Sequence, residues 1–340
     1  MQRARVLING FKLLIALPVL LIFLIQIMAP GIIRRQIRQA GLQNCPTCRL
    51  QISRLSFSVF TRRLELSEID FSAGTPGVSN VRADIRRIVA DLSLKQLLLG
   101  TLKFNWIEIH SPTVILYDGD EHLPPQPPKP PSAEKIQVFS VTSIKVFAGT
   151  FEYKRTYQGK LARLKVSDID ANVNEFGNTP KLKVAEVRAH ALARLQDSGA
   201  VDLEIKTFLF DPNIRADIDL KVSGQDLSEL KYFEDNDGIR LAGKLIKGRG
   251  RVTMFNDDIS ARVFAKYQDF DLEFLKTAQR SGAKTFFSNL GASLVMDSRN
   301  DEEQLADQSR EVQIKKRPRE NVVGFILRSL KEAALKIVKF

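Results

Sequence analysis

Residues 200–223 read AVDLEIKTFLFDPNIRADIDLKVS, and their alternation decides the fold class. Val201, Leu203, Ile205 and Thr207 interleave with Asp202, Glu204 and Lys206. Ala216, Ile218, Leu220 and Val222 interleave with Asp217, Asp219, Lys221 and Ser223. A period of two sends successive side chains to opposite faces, so each run predicts an antiparallel strand with one apolar and one wet face. Ile259, Ala261, Val263, Ala265 and Tyr267 form a third set. About a dozen such runs follow residue 40, bounded by turns such as Tyr117-Asp118-Gly119, Glu175-Phe176-Gly177-Asn178 and Phe255-Asn256-Asp257-Asp258. Short helical pieces are expected only at Leu94 to Leu99 and Asp226 to Phe233.

An alternating sheet has an apolar face that must be covered. Helical segments are too few and too short to cover a dozen strands. The sheet must curl on itself, pair with a second sheet, or take up something oily.

The chain has 340 residues, 44% apolar and 26% charged, which excludes a disordered, collagen-like or polytopic membrane protein. Its formal charge of +12 favours anionic partners. Two cysteines exclude a disulfide-stapled scaffold and an all-cysteine zinc site. His110, His122 and His190 leave little for metal or acid–base chemistry.

Val6 to Met28 reads VLINGFKLLIALPVLLIFLIQIM, and Leu13 to Ile25 carries neither charge nor polar side chain. With its flanks this segment reaches roughly the 20 residues that cross a bilayer. Leu13, Leu17, Leu20, Leu21, Phe23 and Leu24 would face lipid, and Lys12 can snorkel to the headgroups. A cleaved signal peptide is the alternative, but a small-x-small cleavage site is missing. Arg3, Arg5 and Lys12 on one side balance Arg34, Arg35 and Arg38 on the other, so charge does not set the topology.

Pro124 to Pro131 reads PPQPPKPP, an extended polyproline stretch that serves as a spacer or as a ligand for a proline-binding domain. The expected organisation is an anchor (1–30), a first β region (31–123), a Pro-rich spacer (124–134) and a second β region (135–298). A polar, basic tether (299–320) and an amphipathic helix (321–340) follow. On that helix Val323, Ile326, Leu330 and Ile337 share one side, while Lys331 and Lys336 fall largely on the other. A basic amphipathic helix suits an anionic membrane surface or a partner's groove; a cap on the end of the sheet is the alternative.

No catalytic set emerges. Cys45-Pro46-Thr47-Cys48 lacks the strand–helix context of a redox motif and the further ligands of a zinc site, which leaves a local disulfide or inert thiols as the leading reading. Asp168 and Asp170, two apart, share one strand face, most simply the wet one. Gly248-Arg249-Gly250-Arg251 lacks the strand–loop–helix context of a phosphate loop and reads as a bulge or bend in a strand. Basic residues are spread along the chain without a nucleic-acid module, so no nucleic-acid partner, metal or cofactor is expected.

Three stretches carry a family resemblance: LQISRLSFSVFTRRLELSEIDFS (50–72), IRRIVADLSLKQLLLGTLKFNWIEIHSPTVILYDGD (85–120), and IKVFAGTFEYKR with LARLKVSDIDANV (144–173). In the second, Leu92-Ser93-Leu94, Leu97-Leu98, Gly100, Leu102, Phe104, Ile107, Ile109, Pro112, Val114 and Leu116 carry the phrase. The chain resembles the AsmA-like family of envelope proteins of double-membraned bacteria. That resemblance implies an inner-membrane, single-pass protein with its bulk in the periplasm. The fold it implies is mainly β: an N-terminal transmembrane helix, a long curled antiparallel sheet forming an apolar groove, and a C-terminal amphipathic helix. Phe151, Tyr153, Leu203, Ile205, Ile218, Leu220 and Val263 are the expected groove contacts for phospholipid acyl chains. The expected partners are membrane phospholipids and envelope-assembly proteins. A non-transporting scaffold with a closed sheet is the other expectation, and neither is an enzyme.

Overall fold

The computed structural model describes residues 47–75, 79–98, 101–119, 138–157, 159–211, 213–275, 310–317 and 320–337. They build one open, mixed sheet of 14 strands. Strands β1 (Arg49–Ser58), β2 (Arg63–Thr75), β3 (Ser79–Leu92) and β4 (Leu102–Asp118) form a meander, with α1 (Leu94–Leu98) between the last two. There follow β5 (Phe139–Val141), β6 (Ile144–Tyr157), β7 (Lys160–Val173), β8 (Phe176–Gly177), α2 (Pro180–Lys183), β9 (Val187–Leu195), β10 (Gly199–Thr207) and β11 (Arg215–Asp226). A 3-10 turn (Leu227–Glu229) and α3 (Lys231–Asp237) lead into β12 (Ile239–Phe255), β13 (Asp258–Phe274), β14 (Arg310–Lys315) and α4 (Val322–Ile337).

The expected all-antiparallel sheet is corrected at one place, since β4 pairs in parallel with β5 and β6. Phe139 lies beside Leu102, at the start of β4, whereas β4 ends at Asp118. Phe139 therefore lies at the opposite end of β4 from Asp118, about 50 Å away at 3.3 Å per residue. Alternation looks the same in either direction, so the pattern alone could not show this. The two β regions expected on either side of the Pro-rich segment are joined in one sheet through the β4–β6 pair. A second difference falls in the expected tether, where Arg310–Lys315 is strand β14, setting Val312 beside Ala261 and Ile314 beside Ile259.

The candidate anchor residues Leu13, Leu17, Leu20, Leu21, Phe23 and Leu24, and the Pro-rich spacer, lie outside the described residues. Among the described residues no helix is long and apolar enough to cross a membrane.

Register assembles the alternating runs into one apolar face. Leu203 and Ile205 of β10 lie opposite Leu220 and Ile218 of β11. These continue to Gly250 and Val252 of β12, then to Val263 and Ala261 of β13. Four irregular positions interrupt the alternation of earlier strands, and at two of them, Ala148 and Asp168, the ladder register also slips. Glu68, Ser111, Ala148 and Asp168 have φ of 54°, 48°, 51° and 51°, in the left-handed region that non-glycine residues rarely occupy. At each the alternation of the strand changes parity, and neighbouring strands change together at Glu68 and Ser111, where the pairing stays in register. This is why Leu64 and Leu66 share a side with Ile69: all three lie in the core beside Ile52 and Phe57.

The sheet is also curled. Helix α4 packs Ile326 and Leu330 against the β12–β14 core, and Val323 and Leu327 against the cluster around Tyr153 of β6. Six strand steps separate β6 from β13, about 29 Å if flat, whereas a helix is only about 10 Å across. One helix can touch both only if the apolar face is concave.

Candidate functional site

The concave face is a trough whose one part is filled by the chain's own helices. Helix α4 starts at Asn321, whose Oδ1 accepts a 2.7 Å hydrogen bond from the backbone N–H of Gly324. This is the capping geometry that satisfies a first-turn donor. Phe325 and Ala333 are wholly buried against Val252, Met254, Ile259, Ala261 and Val312. Gly250 leaves room for Leu330, since a Cβ there would lie 2.7 Å from the leucine Cδ2. The bulge expected at Gly248–Arg251 is therefore corrected. That stretch pairs regularly, and the register slip falls just before it, between Leu245 and Lys247.

On the other flank, α3 supplies Tyr232, whose ring centroid is 5.8 Å from that of Tyr153. The Tyr153 hydroxyl donates to Asp118 at 3.1 Å, and Asn321 Nδ2 approaches the same hydroxyl at 3.5 Å. Burial pushes the Tyr153 phenol up to about 12. Burial also raises Tyr232, while Arg155 beside it pulls in the opposite direction. Both groups are neutral acids with raised values in the fold. Their contribution to stability is thus complete below the ordinary value of 10 and drains away as pH rises through about 12. An alkaline absorbance titration should show Tyr153 and Tyr232 ionising late, together with loss of folded signal. Tyr153→Phe should remove one late ionisation; both tyrosines titrating near 10 would contradict the buried pair.

Polar clasps hold α4 at its edges. Arg328 donates Nε and Nη2 to the two carboxylate oxygens of Glu320, each at 2.7 Å, and Nη2 also reaches the Lys315 carbonyl. Lys331 Nζ donates to Asp237 of α3 at 2.6 Å, and Lys336 Nζ to the Glu311 carbonyl at 3.2 Å. Lys331→Met should lower stability by about 1–3 kcal/mol, because Asp237 is left desolvated. Chemical denaturation checks this value; an unchanged midpoint would show that the pair contributes nothing.

The expected membrane- or partner-facing helix is corrected accordingly. Val323, Ile326 and Leu330 pack on the sheet, and Lys331 and Lys336 bind groups of the same chain. Ile337 belongs to the helix as its last residue. The physical reason is that the sheet's own apolar face takes up the apolar side of the helix.

The seven expected groove residues divide. Tyr153 is wholly buried and Phe151 packs beside it under α3, so these two belong to the helix seat rather than to an open groove. Ile218 and Val263 pack against the core that α4 covers. Leu203, Ile205 and Leu220 are half-buried on the same face, outside the three core clusters. They form a lane across β10 and β11 with Ala191 of β9, which pairs with Leu203. Sequence reasoning missed Asp118, Tyr232, Asp237, Glu320 and Arg328. The one available signal was the run Tyr232-Phe233 in a polar helix, where two aromatics need a seat.

Cys48 is disulfide-bonded, and the chain's other cysteine, Cys45, lies outside the described residues. Asp168 and Asp170 are exposed, Asp168 facing Arg194 at 3.6 Å. Among the described residues no three His, Cys, Asp or Glu side chains cluster as metal ligands.

No protein-family model matches the chain, and no curated protein matches it.

Proposed function

We propose that this chain is an inner-membrane-anchored, AsmA-like periplasmic protein that binds or conveys phospholipids on its concave apolar face in support of envelope biogenesis. The observation that carries the reading is the half-buried lane of Ala191, Leu203, Ile205 and Leu220, set beside the helix-covered part of a curled, open sheet. A strip of aliphatic side chains without charge gains from contact with acyl chains at about 25 cal/mol per Å². The full chain purified in mild detergent should carry phospholipid in native mass spectrometry. Leu203→Asp combined with Leu220→Asp should cut the bound lipid at least about tenfold, since each leucine buried against lipid is worth up to roughly 1.5–3 kcal/mol. Glu204→Gln, on the opposite face, should leave it unchanged. A folded wild-type chain without lipid would overturn the proposal.

A second reading, a non-transporting scaffold in envelope assembly, is favoured by α4 itself. A helix clasped by ion pairs over the face leaves less room for cargo. A photo-crosslinker at Leu220 separates the two: lipid adducts support conveyance, and protein adducts support the scaffold.

A further inference from the structure

We propose that one margin of the sheet is a docking surface for an anionic lipid bilayer. The strands have two sets of ends. One margin is built by the β1–β2 turn, the β7–β9 and β10–β11 connections, the β12–β13 turn and the entry into β5. Nearly all of the large apolar side chains exposed in turns lie there. Phe60 is 79% exposed, Val184 77% and Leu209 52%, joined by Phe210, Ile214 and Phe255. These residues come from connections far apart in sequence, and the curl brings some together: Phe210 lies edge-on to Phe139 at 6.3 Å. On the opposite margin, among the described residues, Leu161 alone is a large exposed apolar side chain.

Charge follows the same division. Along the apolar margin, Glu186, Asp211, Asp257 and Glu320 are each paired with a cation, Arg188, Arg215, Lys316 and Arg328 respectively. At the same margin Lys181 and Lys183 stand in the β7–β9 connection, Lys95 in α1 and Arg317 just after β14, against Glu175 and Asp258. In the turns of the opposite margin Asp197, Glu229 and Asp235 stand against Lys231, while Glu234 and Asp237 are paired with Arg240 and Lys331. A surface that combines protruding apolar side chains with surplus cations fits a bilayer whose headgroups are anionic: the apolar groups enter the acyl boundary while the cations meet phosphate. A water-facing loop gains nothing from Phe60, Leu209 or Phe210, and burying each such side chain is favourable. The inference does not depend on the trough carrying lipid, since a scaffold would dock through the same margin.

The test uses the full chain with an environment-sensitive fluorophore on Phe210→Cys, and a second preparation labelled at Ser198→Cys on the acidic margin. Vesicles of phosphatidylethanolamine with phosphatidylglycerol should shift the Phe210→Cys signal to that of an apolar environment and leave Ser198→Cys unchanged. Phosphatidylcholine vesicles should give a weaker response, and added salt should reduce the response to the anionic ones. Lys181→Glu and Lys183→Glu should each weaken it at least about fivefold, from about 1 kcal/mol per cation near an anionic surface. No response at Phe210→Cys overturns the inference and leaves the margin to a protein partner. A response at Ser198→Cys instead overturns it by reversing the orientation.

Discussion

Phe325→Ala is expected to destabilise the fold by about 3–5 kcal/mol, the range for removing a wholly buried phenylalanine from a packed site. Phe325 is 0% exposed and sits where α4 meets β12, β13 and β14. No neighbouring element is free to collapse into the space, since Val252, Ala261 and Val312 are held in register by their ladders. The loss should appear as a lower denaturation midpoint and as faster amide exchange through Val322–Ile337 and Arg310–Lys315. Faster exchange in α4 with an unchanged midpoint would show that the helix is a detachable cover rather than part of the core. That outcome would favour access of lipid to the whole trough.

Arg328→Met is expected to cost about 3–5 kcal/mol at neutral pH, because it leaves Glu320 nearly buried without its cation. The two side chains are only 12% and 11% exposed. Burial opposes ionisation of Glu320, but the hydrogen bonds from Arg328 and from the Arg317 backbone outweigh it and hold the carboxyl below 4.5. In the native chain this contribution is therefore complete above 4.5 and is lost as pH falls through the depressed value. In the variant the sign reverses, since burial without the guanidinium raises Glu320, and protonation relieves the strain. The stability gap between native and variant chains should narrow as pH falls, first as Glu320 protonates above 4.5 in the variant and then as the native contribution is lost below it. Urea midpoints at neutral and acidic pH measure this directly; a gap constant with pH would mean that the pair is solvent-screened.

Much of the architecture is written in local pattern. Ala216 to Ser223 alternates because one side of β11 is apolar core and the other is water, and that is visible without coordinates. Even the left-handed residue Glu68 left a trace, since Leu64 and Leu66 are followed by Ile69 at an odd spacing. The pairing of β4 with β6 left none, because alternation carries no strand direction. Strand β14 was hidden for another reason: its six residues lie next to a long charged run, and only pairing with Asp258–Val263 distinguishes them from it.

The site was legible in part. Period alone places Leu203, Ile205 and Leu220 on an apolar strand face, and the structure leaves them half-buried there. Tyr153 looked the same by period but lies at 0% exposure beneath α3 and α4. Nothing local to Tyr153 indicates that a helix beginning 169 residues later, at Val322, will cover it.

By itself, then, the sequence determined the mainly β class, the apolar and wet faces of each strand, and the amphipathic character of Val322–Ile337. These are properties of neighbours along the chain, set by side-chain period and by the chemistry of burial. Only the tertiary structure decided the parallel step at β4–β6, the curl, and the destination of the C-terminal helix. Those depend on contacts between residues far apart in sequence. An apolar helix face is equally satisfied by a bilayer, a partner or its own sheet, and the concave face beside Gly250 and Tyr153 was the surface within reach.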